Sequence, residues 1–233
     1  MTDTIDHHQQ TIIETALQMA KERLVFGSWG NISLRIDTEK IIITPSGIDY
    51  DKMQCEDLVL VDSAGTILAG NQRPSSELPL HLAIYNQRQD VHAIVHTHSI
   101  YATSFAIVRQ PIPPVVEDLV QIVGGTVEIA EYALPGTDEL ARNVLVALAD
   151  RNAVLLANHG VVGVAAEITE ALKVCSLVEK TAQSVIFARL LGDVVGLSHR
   201  DIETMRTFYC EEYRPRKRDK LTPIEDAGEK TNE

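Results

Sequence analysis

No run of apolar residues in this 233-residue chain approaches the length of a membrane span, and its polar N-terminus carries no secretory pattern. Basic residues are outnumbered, 21 Lys and Arg against 33 Asp and Glu, for a formal charge of -12. That balance excludes the usual electrostatic routes to nucleic acid or to an anionic membrane surface, so neither is expected as a partner. Cysteine is scarce as well. Cys55, Cys175 and Cys210 are odd in number, scattered, and form no CxxC pair, which suits a reduced, cytoplasmic setting rather than a disulfide framework. Walker and Rossmann fingerprints are missing, so a nucleotide is not indicated. There are no internal repeats.

What is present is ample apolar material, 45% of the residues, in a length that suits one domain. We expect that domain over residues 1–213. A charged, flexible tail over 214–233 is expected to follow, beginning with the basic run Arg214, Arg216, Lys217, Arg218 and Lys220.

Periodicity predicts the elements. Ile12, Ile13, Ala16, Leu17, Ala20 and Leu24 follow helical spacing, stopped by Gly27-Ser28-Trp29-Gly30. Ile32, Leu34 and Ile36 alternate as a strand, Lys40 to Thr44 is a second, and Leu58 to Asp62 with Thr66 to Leu68 is a hairpin. A helix over Glu77 to Arg88 starts from Ser75 or Ser76 as N-cap. An apolar strand, Ala93-Ile94-Val95-His96-Thr97, leads into helices at Ile100–Val108 and Glu117–Val123. Thr137 caps a helix running to Asp150, strands Ala153–Ala157 and Val161–Ala165 follow, then a long helix from Ala166 to Leu191. Ser198 opens a last helical stretch towards Tyr213. Early strands joined by hairpins, then alternating strands and helices, predict an α/β fold with an antiparallel or mixed sheet covered on both faces.

The chemistry concentrates in a few places. His96 and His98 stand two apart at a strand end, so both rings can face one side. His159 stands where another apolar run ends, in Ala157-Asn158-His159-Gly160, and Glu77 lies upstream in Ser75-Ser76-Glu77. Three imidazoles and one carboxylate suit a catalytic Zn²⁺ site with room for substrate. A lone histidine such as His159 is more often a satisfied core residue than a ligand. His81, on a helix, and His199, in a turn, are read as structural. Gly30-Asn31, Ser46-Gly47 (in Thr44-Pro45-Ser46-Gly47) and Ser75-Ser76 offer N–H groups and hydroxyls where loops meet regular elements, a pattern that binds phosphate. Each is also an ordinary turn or cap.

Taken together, Gly30-Asn31-Ile32-Ser33, Thr44-Pro45-Ser46-Gly47, Ser75-Ser76-Glu77, His96-Thr97-His98-Ser99 and Asn158-His159-Gly160 resemble the class II aldolase/adducin-head family, in the L-fuculose-1-phosphate aldolase branch. The resemblance implies a mixed, largely antiparallel central sheet flanked by helices on both faces. It implies one divalent ion per subunit on His96, His98 and His159, with Glu77 completing the resting site; Zn²⁺ comes first and Mn²⁺ second. Glu77 acts as acid/base, and Gly30, Asn31, Ser46, Gly47, Ser75 and Ser76 hold the substrate phosphate. The implied reaction is retro-aldol cleavage of a ketose 1-phosphate to dihydroxyacetone phosphate and an aldehyde, through an enediolate that the metal stabilises. The implied assembly is a C4 homotetramer with active sites at subunit interfaces, where Glu117 and Tyr213, or Tyr209, serve a neighbouring subunit. Glu117 replaces a tyrosine of the fuculose-phosphate aldolases, which keeps a methylthioribulose-1-phosphate dehydratase as an alternative. A pentulose-phosphate 4-epimerase and a non-catalytic, adducin-like scaffold rank behind it.

Overall fold

A computed structural model describes residues 2–213 of the chain; the tail expected over 214–233 lies outside the described residues. Its centre is an eight-stranded sheet in the order β4-β3-β2-β1-β5-β8-β7-β6. The strands are β1 (Asn31–Arg35), β2 (Lys40–Ile43), β3 (Val59–Asp62), β4 (Ile67–Ala69), β5 (Ala93–Thr97), β6 (Ile129–Ala130), β7 (Ala153–Leu156) and β8 (Gly160–Ala165). All neighbours pair antiparallel except β6 with β7, so the fold is mixed α/β with a largely antiparallel sheet. Two-residue β6 has too little sequence to show a period, and it was not foreseen.

Alternation along the strands divides the core in two. Ile42, Ala93, Val95, Ala153, Leu155 and Val161 face one layer, shared with helices α1 (Thr2–Lys21), α3 (Ile100–Ile107), α4 (Glu117–Val123) and α6 (Ile168–Leu191). Ile41, Ile43, Ile94, Val154, Leu156 and Val162 face the other, shared with α2 (Leu78–Gln87) and α5 (Asp138–Leu148). Helices therefore cover both faces, as predicted. A last helix, α7 (His199–Phe208), runs into a π-helical turn at Tyr209–Tyr213 and packs on α4.

Two helix boundaries differ from the expected ones for local reasons. Helix α1 stops at Lys21, although apolar spacing continues to Leu24. Arg23 adopts a left-handed φ of 58°, its N–H bonds back to Ala20 O, and Leu24 N–H bonds to Met19 O. These are the two bonds of a Schellman motif, whose buried apolar residue follows the helix rather than belonging to it. Helix α2 takes Glu77 rather than Ser75 or Ser76 as its N-cap, without a side-chain cap bond. Ser75 Oγ instead accepts from Glu77 N–H at 3.3 Å, a serine turn that places the helix start two residues later.

Strand β5 lies mid-sheet, with Asn31 of β1 opposite His96 on one side and Val162 of β8 on the other. The approach to β8 requires a glycine: a Cβ on Gly160 would lie 2.1 Å from Thr97 O and 3.2 Å from His96 Cε1. Gly160→Ala is therefore expected to destabilise the protein by about 1–3 kcal/mol, the usual cost of overpacking, measured as the shift in urea midpoint. An unchanged midpoint would contradict this account of the β5–β8 contact.

Candidate functional site

Each histidine of the cluster is held by a different backbone feature. His96 is in β5, fully buried, and its Nδ1 lies 2.9 Å from Val161 O. Nδ1–H must donate to that carbonyl, so the neutral ring keeps an Nε2 lone pair. His98 is past the strand end, fixed by its N–H to Leu24 O at 2.9 Å. His159 is in the β7–β8 loop, where Asn158 takes a left-handed φ of 55°, a conformation asparagine tolerates, and His159 N–H bonds to Leu156 O. The result brings His96 Nε2 to 3.0 Å from His98 Nε2 and 3.3 Å from His159 Nε2.

Glu77 joins them from the start of α2. Its Oε2 accepts from Asn31 Nδ2 at 2.8 Å and lies 3.2 Å from His96 Nε2; Oε1 lies 3.6 Å from His159 Nε2. Oε1 is buried and has no hydrogen-bond partner among the described residues. A divalent cation fits this set. Three converging imidazole nitrogens and an orphaned carboxylate oxygen need a shared electrophile, and tetrahedral Zn–N bonds of about 2.0–2.1 Å would separate the nitrogens by about 3.3 Å. Burial drives His96 and His98 the same way. Desolvation, then the neighbouring His159, holds His96 well below the usual imidazole range; desolvation and the adjacent histidines push His98 down to about 3. Both are thus neutral at pH 7, the form that ligates metal.

The proposed phosphate residues collect in one open cleft of about 260 Å³ in front of this cluster. Gly30, Asn31, Ser46, Gly47, Ser75, Ser76 and Glu77 line it with His98 and His159. Two of the loops are tied together: Ser46 N–H bonds to Arg73 O and Ser75 N–H to Thr44 O, around a bridge between Pro45 and Pro74. Those two N–H groups are therefore used within the protein. The N–H groups of Gly47 and Ser76 make no hydrogen bond among the described residues, and the side chains of Ser46 and Ser76 are exposed. Gly47 has a φ of 79° and open space where a Cβ would point, which leaves its backbone accessible from the cleft.

Two sequence candidates are elsewhere. Glu117, the first residue of α4, is exposed. Tyr213 is half exposed and stacks on Tyr209 with ring centroids 5.7 Å apart, whereas Tyr209 is buried with its hydroxyl 3.2 Å from Glu170 Oε2. Neither Glu117 nor Tyr213 lines this chain's cleft. Sequence reasoning missed Pro135 and Trp29 on the cleft wall; Trp29 packs against His98 at 5.8 Å between centroids. It also set His81 aside. That ring is fully buried and bonds Asn31 and Ser33. Its spacing of four from Glu77 on one helix was the available signal.

With this geometry in place, comparison with known proteins is direct. Residues 10–186 match the model of the class II aldolase and adducin N-terminal domain, and the chain belongs to that family. It is 34% identical over 202 residues, 86% of this chain and 94% of the relative, to the 5-deoxy-D-ribulose 1-phosphate aldolase of Bacillus thuringiensis serovar kurstaki. It is 36% identical over 184 residues, 79% of this chain and 85% of the relative, to the L-fuculose phosphate aldolase of Escherichia coli O6:H1. A solved L-fuculose 1-phosphate aldolase superposes with a TM-score of 0.84 at 36% identity, covering 87% of this chain and 95% of that one.

Two measurements test the site. His98→Ala should lower metal content measured by mass spectrometry from near one ion per chain to a small fraction; full retention would remove His98 from the ligand set. The metal-free protein should also lose stability as pH falls. Burial holds the folded-state pKa of His81 at about 4, below the unfolded value of about 6.5. The unfolded chain therefore takes up that proton first. Stability is complete above pH 6.5 and declines by about 1.4 kcal/mol per unit and per proton towards pH 4. Urea midpoints that stay flat between pH 7 and pH 5 would contradict a buried neutral His81.

Proposed function

We propose that this chain is a class II aldolase that cleaves a ketose 1-phosphate between C3 and C4, releasing dihydroxyacetone phosphate and an aldehyde. The observation that carries the reading is Glu77: one carboxylate oxygen is held by Asn31, and the other is unpartnered beside three imidazoles at the floor of a cleft rimmed with serines and glycines. The names of the relatives support the same reaction class.

His96, His98 and His159 would hold the metal, with Glu77 at the resting site; this nitrogen-rich set suits Zn²⁺ ahead of Mn²⁺. Such an ion, when bound, supplies Lewis-acid stabilisation of negative charge developing on substrate oxygens. The chain's own residues do the remainder. Gly47 and Ser76 N–H groups, with the Ser46 and Ser76 hydroxyls, hold the phosphate, alongside Gly30, Asn31 and Ser75. Glu77 delivers the proton that C3 requires once the C3–C4 bond has broken, and removes it in the condensation direction. A second group takes the C4 hydroxyl proton as the aldehyde forms.

That second group comes from another subunit in this reading. Glu117 and Tyr213 are surface residues that do not line their own cleft, which supports a C4 homotetramer with interfacial sites. Phe26 and Trp29, 56% and 67% exposed, form an apolar recess with His98. It suits a substrate that ends in a methyl or methylthio group, with 5-deoxyribulose 1-phosphate placed first and fuculose 1-phosphate second. We take residues 1–213 as one catalytic domain and the cytoplasm as its setting. The free thiols of Cys55, Cys175 and Cys210 support that setting. Among the described residues no helix is long and apolar enough to cross a membrane.

The test is product analysis. Metal-loaded protein given 5-deoxyribulose 1-phosphate or methylthioribulose 1-phosphate should release dihydroxyacetone phosphate, followed with a coupled reductase, and EDTA should abolish the release. A diketone phosphate formed without it would replace the aldolase by a dehydratase acting through Glu117.

A further inference from the structure

Two periodicities meet behind Glu77. Asn31 and Ser33 are two apart on β1 and share a face of the sheet. Glu77, His81 and Tyr85 are four apart, at the cap and along α2, and share a helix face. Where they meet, the side chains form one continuous chain of hydrogen bonds. Tyr85 Oη is 2.8 Å from Ser33 Oγ, Ser33 Oγ is 2.6 Å from His81 Nδ1, His81 Nε2 is 2.6 Å from Asn31 Oδ1, and Asn31 Nδ2 is 2.8 Å from Glu77 Oε2. All five residues are buried, none more than 8% exposed.

The direction of this chain follows from its acidic end. Glu77 Oε2 accepts from the NH₂ of Asn31. The Asn31 carbonyl oxygen then faces His81, whose Nε2 must carry the proton. Burial keeps His81 neutral at pH 7, so its Nδ1 accepts from the Ser33 hydroxyl, and Ser33 in turn can accept from Tyr85. His96 has the opposite tautomer, with Nδ1–H on Val161 O and Nε2 free towards the cluster. His81 thus presents a proton where His96 presents a lone pair, and it points at the asparagine rather than at the metal site.

We propose that His81 is a positioning residue for the proton transfer at C3: as the Nε2–H tautomer it locks the Asn31 amide, and the locked amide holds Glu77 Oε2 so that Oε1 faces the substrate. This deepens the aldolase reading and rests on Glu77 as its acid/base. Without the His81 N–H, the Asn31 amide is free to flip, and its carbonyl oxygen would then oppose the carboxylate. A buried hydrogen-bonded network, satisfied here as far as Glu77 Oε2, fixes a side chain that solvent would leave free to rotate. It restrains the one carboxylate that must both touch the metal site and reach carbon.

The test separates the two nitrogens of the ring. In His81→Gln the terminal amide occupies the place of Nε2–H and can still donate to Asn31. In His81→Asn the shorter amide reaches only the Ser33 side. We expect His81→Asn to lower kcat, and the rate of solvent-deuterium exchange into C3 of dihydroxyacetone phosphate, by about 10–100-fold, the usual effect of removing a group that orients a site residue. KM and metal content should stay within about twofold, and His81→Gln should recover most of the lost rate. Equal losses in both variants, or a raised KM with kcat intact, would overturn the proposal. Nitrogen-15 NMR of the wild-type histidines supplies a check that needs no variant: His81 must be the Nε2–H tautomer, and finding Nδ1–H instead overturns it. Failure of the parent reading would look different, because wild-type protein would then neither cleave a ketose 1-phosphate nor exchange the C3 proton.

Discussion

The register of β5 between β1 and β8 is the constraint on which the site depends. Pairing of Asn31 with His96 puts the asparagine beside the buried imidazole, and pairing of His96 with Val162 brings the Val161 carbonyl to Nδ1. A slip of one residue on either side would turn His96 to the opposite face and leave its ring without that carbonyl. Gly160 makes the close approach possible, since any larger residue would strike the Thr97 carbonyl. The neighbouring loops are tied to the same frame, His98 through the carbonyl of Leu24 and His159 through that of Leu156.

Packing and chemistry are coupled on the α2 face. Below His96 the alternating residues are apolar, with Ile94, Val162 and Val164 in one buried layer. Beside them the same face carries Asn31 and Ser33, which meet Glu77, His81 and Tyr85. Burying so many polar groups is costly unless each finds a partner, and here almost all do. Among these five residues the exception is Glu77 Oε1, 3.6 Å from His159 Nε2. This polar set therefore directs its unmet hydrogen-bonding capacity at the place where metal and substrate would meet. The apolar layer beneath gives that arrangement a rigid base, and the serine and glycine loops in front leave it open to a phosphorylated ligand.

Much of the architecture was legible because its periods are clean. The short continuous apolar runs Ile41 to Ile43, Ala93 to Val95 and Ala153 to Leu156 identify strands buried on both faces, and the spacing along α5 and α6 identifies their buried faces. The boundaries were less legible. Leu24 continues a helical stripe yet follows the helix, because a left-handed Arg23 lets the chain leave while the apolar contact persists. Ser75 has the composition of an N-cap, yet its hydroxyl closes a serine turn and the helix starts two residues later, with Glu77 as N-cap. Strand β6 owes its existence to its parallel partner β7, which lies more than twenty residues further along the chain.

The same division runs through the site. Sequence by itself determined which chemistry was available: the pair His96 and His98 at a strand end, His159 before a glycine, and Glu77 after two serines, in an acidic chain. Side-chain types and short spacings carry that information because they are local. Only the tertiary structure decided that the three imidazoles converge within 3.0–3.3 Å of His96 Nε2, and that two of the candidate phosphate N–H groups are already used between loops. It also decided that Glu117 and Tyr213 lie away from their own cleft, and that His81 hydrogen-bonds the asparagine that holds Glu77. Those facts depend on strand register and on which face of α2 meets β1. They are fixed by contacts between residues as far apart in the chain as Glu77 and His159, which no local pattern specifies.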